Sequence, residues 1–165
     1  MKVRFALSAL LALSTLVAVG CDDEDEDPGG PPDTNEFNAS LTGAKERPTA
    51  STSTATANAQ FISSTSGGTT TIQYTVTITG GTLSGPITAA HIHGPAGVND
   101  VANPIVTLAA ATGTTGVVIS GSFTTTGNAT VNMAQLLTHM LAGNTYINLH
   151  TAANPNGEIR GQIID

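Results

Sequence analysis

The sequence predicts an all-β domain with one short helix, arranged as a single Greek-key β-sandwich or flattened barrel. Three observations carry that prediction. Threonine, valine, isoleucine and glycine dominate residues 37–165, and apolar residues recur there mostly with a period of two, the signature of half-buried strands. Turn residues interrupt these runs at intervals that leave room for roughly seven to nine short strands. One segment alone shows helical spacing.

Taken in chain order, Phe37, Ala39 and Leu41 alternate in a first strand. Ala55, Ala57, Ala59 and Phe61 alternate in a second, where small side chains permit close packing. The stretch from Ser63 to Thr69 reads as a turn. Ile72, Tyr74, Val76 and Ile78 then share one face while Gln73, Thr75, Thr77 and Thr79 share the other, and Gly80-Gly81 closes the strand. Further strands are expected over 89–93, 105–109 and 117–123, with a loop from Gly94-Pro95 to Pro104. A helix is expected over 133–142: Asn132 can cap it, Met133, Leu136, Leu137, Met140 and Leu141 form its apolar stripe, and Gly143 stands where it ends. The last two strands, 146–151 and 158–164, join through Asn154-Pro155-Asn156-Gly157, whose proline fixes φ and whose glycine permits φ > 0. No internal repeat and no second domain is visible. An antiparallel arrangement of this kind is immunoglobulin-like or superoxide-dismutase-like.

Residues 1–20 carry Lys2 and Arg4 followed by an uncharged apolar run from Phe5 to Val19. The run is too short to span a bilayer as a mature helix and reads as an export signal. It ends Val17-Ala18-Val19-Gly20 before Cys21, the only cysteine in the chain. That is the pattern of a bacterial lipoprotein signal peptide, with Ala18 where leucine is commonest; the thiol is then diacylated and the preceding peptide removed. The chain is therefore expected in the cell envelope, anchored to a membrane through lipid on Cys21 and facing the extracytoplasmic side. A single cysteine excludes an internal disulfide.

The net charge of −7 belongs to the head of the chain rather than to the fold. Residues 22–36 hold eight acidic side chains and no basic one; from residue 37 onward Glu46, Asp100, Glu158 and Asp165 oppose Lys45, Arg47 and Arg160, a formal charge of −1. Residues 21–36, with their acidic run and Pro28-Gly29-Gly30-Pro31-Pro32, cannot bury apolar area and read as a solvated tether. Such a string lacks the fixed geometry a calcium site needs. Residues 37–165 are enough for one domain with a core. With no basic patch and few aromatic rings, nucleic acid is not an expected partner.

Chemistry concentrates in two segments. Strand alternation places Ile147, Leu149, Ile159 and Ile163 on the core side of the final hairpin and Tyr146, Asn148, His150, Glu158, Arg160 and Gln162 on the other. His91 and His93 also share a face. If their strand neighbours the hairpin, His91, His93 and His150 converge, and three imidazoles in that arrangement suit zinc or copper. The competing reading is that each histidine hydrogen-bonds to fix the Gly94-Pro95 loop and the Asn-Pro-Asn-Gly turn. His139 falls on the outer face of the expected helix and is a poor fourth ligand. Arg160 is expected to be clamped by Glu46 or Glu158, a structural rather than catalytic pairing in so uncharged a domain. Gly81-Thr82-Leu83-Ser84-Gly85 has the wrong spacing for a nucleophile elbow. Asn38-Ala39-Ser40 and Asn128-Ala129-Thr130 match glycosylation acceptors by chance, since the head of the chain is of bacterial type.

The segments His91-Ile92-His93-Gly94-Pro95-Ala96, Tyr146 to Gln162, and Phe37-x-Ala39-x-Leu41-x-Gly43-x-x-Glu46-x-Pro48 resemble the signature segments of the CHRD domain. This repeat is named after chordin and is found also in bacterial envelope proteins, and the resemblance covers nearly everything after residue 36. In chordin these repeats belong to an extracellular protein-binding antagonist. The resemblance therefore implies a non-enzymatic binding or structural module with an unidentified protein or envelope ligand and no cofactor. The alternative is a zinc- or copper-binding envelope protein using His91, His93 and His150, with superoxide-dismutase-like chemistry. A dinuclear site of that enzyme's kind needs about six histidines, an aspartate and a disulfide, whereas this chain has four histidines and one cysteine, which leaves a mononuclear copper site open.

Overall fold

Strand β1 (Asp33–Thr42) pairs antiparallel with β2 (Thr56–Ser66) along its whole length, Phe37 facing Phe61 and Leu41 facing Ala57. The computed structural model describes residues 33–109, 111 and 113–165; the expected signal, Cys21 and most of the expected tether lie outside them. Residues 33–36, read above as tether, belong to the sheet: their backbone pairs with 62–65, and Glu36 accepts a hydrogen bond from Gln60 at 2.7 Å. A ladder needs only backbone groups, so polar side chains at its exposed end do not end it.

The same reason moves the first turn. β2 runs through Ser63 and Ser64 to Ser66, and β3 (Thr69–Gly80) starts three residues later. The turn is Gly67-Gly68 alone, with φ of 55° and 76°, values that two adjacent glycines adopt without the steric cost other residues meet. Ser63 is buried and accepts from Asn35, and the Thr65 and Thr70 hydroxyls meet at 2.9 Å across the hairpin. Ile72, Tyr74, Val76 and Ile78 point into the core as their alternation requires.

The remaining elements are β4 (Ile87–His93), β5 (Pro104–Thr107), β6 (Gly116–Phe123), α1 (Met133–Leu141), β7 (Thr145–Thr151) and β8 (Ile159–Ile163). All eight strands form one antiparallel sheet ordered β5-β4-β7-β8-β1-β2-β3-β6. Between β8 and β1 the ladder holds one register pair, Thr42 with Arg160, supplemented by a bridge from Asn38 to Ile164. That seam divides the sheet into two four-stranded halves. Their inner faces share one core, with Phe37, Phe61, Ile72 and Val76 from one half and Ile92, Ile147, Leu149, Ile159 and Ile163 from the other. Each fully buried side chain of this kind contributes about 1.5–3 kcal/mol. The connections β3–β4, β5–β6 and β6–β7 cross between the halves, which gives the sandwich its Greek-key character.

Helix α1 carries a reciprocal cap: Gln135 N donates to Asn132 Oδ1 and Asn132 N to Gln135 Oε1, both at 2.9 Å. Leu136 and Met140 enter the core, but Leu141, assigned to the apolar stripe above, is about half exposed. Among the described residues no helix is long and apolar enough to cross a membrane.

Candidate functional site

Strands β4, β7 and β8 lie side by side, and their register aligns the polar residues into cross-strand rows. His91 faces Asn148, which faces Arg160; His93 faces Tyr146, which faces Gln162. Alternation puts Ile92, Ile147 and Leu149 on the core side and these six on the other. That polar side is itself covered: His93, Tyr146, Asn148 and Arg160 are all buried. Two segments make the cover, the loop between β4 and β5 and the stretch around Glu46 and Arg47, tied together by Arg47 Nη2 donating to Asn99 Oδ1 at 3.3 Å. Gln162 Nε2 donates to Ala96 O and Gly143 O, and the Tyr146 hydroxyl donates to Ala102 O, so side chains of the sheet hold the loop by its carbonyls.

Tyr146 is the platform of this face. The Arg160 guanidinium lies 3.5 Å over its ring centroid, a cation–π contact. From β4, on the opposite side in strand order, the His93 ring stacks on Tyr146 at 4.7 Å and 4°. Sequence reading took Tyr146 for one more polar-face residue; only the strand order reveals the stack.

The three histidines converge. One ring nitrogen from each of His91, His93 and His150 lies within 4.8 Å of the others, and His91 Nδ1 is 3.1 Å from His150 Nε2. His93 Nδ1 donates to Ala102 O at 2.8 Å and His150 Nδ1 to Pro155 O at 3.0 Å. These carbonyls fix the tautomer of both rings, leaving each Nε2 with a lone pair. They also tie down the β4–β5 loop and the β7–β8 turn. Burial lowers the pKa of His91, aided by the neighbouring His150. Burial also carries His93 down to about 4, against the opposing pull of the Ala102 carbonyl. Both rings are therefore neutral at pH 7. His139, on α1, lies apart from this group, as its helical position requires.

Arg160 is not clamped by Glu158. Its Nη2 donates to Gly97 O at 3.2 Å, and the carboxylate whose charge acts on it most strongly is Glu46. Burial raises Glu46 to about 7, while attraction to Arg160 and the Asn148 amide pull the other way. The Glu46 carboxyl lies against the turn before β8, where a Cβ on Gly157 would stand 2.6 Å from either carboxyl oxygen; with φ of 124° as well, only glycine suits the position.

Glu158 sits one residue ahead of β8, so strand alternation does not govern it. Its carboxylate turns to a second cluster that sequence reading missed. Ser53 Oγ, Ser84 N, Thr151 Oγ1 and Asn154 Nδ2 donate to it at 2.6–3.1 Å, and the Ser84 hydroxyl donates as well. Burial alone would raise its pKa; the donors overcome this and hold it at about 2. Nothing local in the sequence marks Ser53 or Ser84, since each comes from a loop far along the chain.

Among the described residues six buried side-chain polar atoms lack a hydrogen-bond partner, and five belong to this face: Glu46 Oε1, His93 Nε2, Asn148 Oδ1, Arg160 Nη1 and Gln162 Oε1. A cavity of about 360 Å³ opens here, lined by Glu46, Arg47, His93, Tyr146, Asn148 and His150 among others. A neighbouring one of about 430 Å³ is lined by Lys45, Arg47, Arg160 and Gln162. The family model of the CHRD domain matches residues 37–163. No curated protein and no solved structure matches the chain.

Proposed function

The chain belongs to the CHRD family, a family of extracellular β modules, and from that premise we propose that it is a non-enzymatic binding module held in the cell envelope by lipid on Cys21. One observation supports binding above all: the unpartnered buried polar atoms gather on the covered face of β4, β7 and β8. Buried polar groups in folded proteins nearly always bond to something. Five such atoms beside a cavity, three of them on side chains fixed by stacking or by backbone carbonyls (His93, Arg160 and Gln162), form a preorganised recognition surface. The anchor rests on Val17-Ala18-Val19-Gly20-Cys21, and a diacylated terminus carries enough hydrocarbon for stable attachment.

Fractionation tests the anchor. The chain is expected in the membrane fraction, and Cys21→Ser is expected to release it or block its processing. A mature N-terminus bearing unmodified Cys21, or cut elsewhere, refutes this. Superoxide dismutation by the purified chain, abolished in His93→Ala, would replace binding by catalysis.

A further inference from the structure

We propose that His91, His93 and His150 form a mononuclear site for zinc or copper, bound through Nδ1 of His91 and Nε2 of His93 and of His150. The inference names a ligand for the face read above as a binding surface; it rests on that reading and is independent of the anchor. Three features support it. His93 Nε2 is buried and makes no hydrogen bond, with the Asn148 side chain beside the ring. His93 and His150 each spend their other ring nitrogen on a backbone carbonyl, Ala102 O and Pro155 O, which is how metal-ligating imidazoles are held in tautomer and orientation. The third is distance. A zinc or copper ion about 2.0–2.1 Å from each nitrogen sets tetrahedral nitrogens about 3.3 Å apart, and His91 Nδ1 and His150 Nε2 already stand at 3.1 Å.

One ring nitrogen from each histidine lies within 4.8 Å of the others, so the His93 ring closes on the ion by no more than about 1.5 Å relative to that tetrahedral spacing. In the free protein the His91–His150 contact is a hydrogen bond between the same two nitrogens, His91 Nδ1–H donating. Binding replaces that shared proton by the cation, with the proton released to solvent. Neutral imidazoles without thiolate or carboxylate select zinc and copper over calcium and magnesium, which prefer oxygen. Three protein ligands would leave a fourth position for water or a small ligand.

The test uses the full chain in mild detergent, stripped with chelator and dialysed, then titrated with Zn²⁺, Cu²⁺ and Ca²⁺ separately. One equivalent of Zn²⁺ or Cu²⁺ is expected to remain after gel filtration and Ca²⁺ none. His91→Ala, His93→Gln and His150→Ala are each expected to weaken binding at least tenfold, and His139→Ala to leave it unchanged. The Cu²⁺ form is expected to show nitrogen hyperfine structure in its electron paramagnetic resonance spectrum. His91 is only partly buried, so His91→Ala is expected to keep the fold and the test decisive even if His93→Gln unfolds. No retained Zn²⁺ or Cu²⁺, or retention unchanged in His91→Ala, overturns the site. Either result leaves the anchor standing, because the anchor is read by fractionation of Cys21→Ser.

Discussion

Glu46→Gln should change how the stability of this domain depends on pH, because two buried groups on one face titrate in opposite senses. Burial raises Glu46 from 4.5 to about 7. Between those values the folded chain holds a proton that the unfolded chain has lost, so the stability Glu46 contributes at low pH disappears as pH rises to 7. The span corresponds to roughly 3 kcal/mol. His93 is lowered from 6.5 to about 4. Between those values the unfolded chain holds the extra proton, so stability is lost as pH falls, again by roughly 3 kcal/mol. His91, also lowered, adds in the sense of His93. From about pH 4.5 to 6.5 the slopes largely cancel and the parent protein changes little. Glutamine mimics the protonated carboxyl and removes one slope. The assay is urea unfolding with chelator present at half-unit intervals from pH 4.5 to 7.5. Relative to the parent, Glu46→Gln should gain stability with rising pH, by up to about 3 kcal/mol at pH 7 and above. Parallel profiles would show that Glu46 ionises in the fold as it does in water, which would refute the argument from burial.

Glu158→Ala removes the acceptor of five hydrogen bonds and should cost on the order of 3 kcal/mol in denaturant unfolding. In the parent the lowered pKa of this carboxylate supplies stability above pH 4.5 that is lost as pH falls to about 2, and acid unfolding of Glu158→Gln should lack that component. Arg160→Ala takes the cation from Tyr146 and from buried Glu46 and should cost about 2–4 kcal/mol, while Lys45→Ala, altering an exposed side chain, should be nearly neutral. A change below about 0.5 kcal/mol in Arg160→Ala would show that the guanidinium is not part of the packing.

The fold was legible because strand alternation is a local signal. Ile72 to Ile78 and Ile147 with Leu149 face the core as their period of two requires. Alternation also brought His91 and His93 to one face. It could not supply the order of strands, and two features of the site depend on that order. Tyr146 lies between Arg160 and His93 only because β7 lies between β8 and β4. Glu158 escaped because alternation was extended one residue beyond the strand, where donors from two distant loops decide where a carboxylate points. Polar composition misled in the same way at Ser63 to Ser66, since a turn and an exposed ladder share the same residues.

The register of β1 also gives the domain a near end and a far end. The chain enters at Asp33, and Ile164 returns beside Asn38, so both termini of the domain leave toward the entry side. Arg160 pairs with Thr42, ten residues along β1, a distance of roughly 30 Å at the rise of an extended strand. His150 lies beyond that point, one step past the pairing of Leu149 with Ile159. The cross-strand row of His91, Asn148 and Arg160 thus sits at the end of the sheet away from Asp33. A fluorescent protein fused after Asp165 would leave the fold beside Asn38, clear of that row.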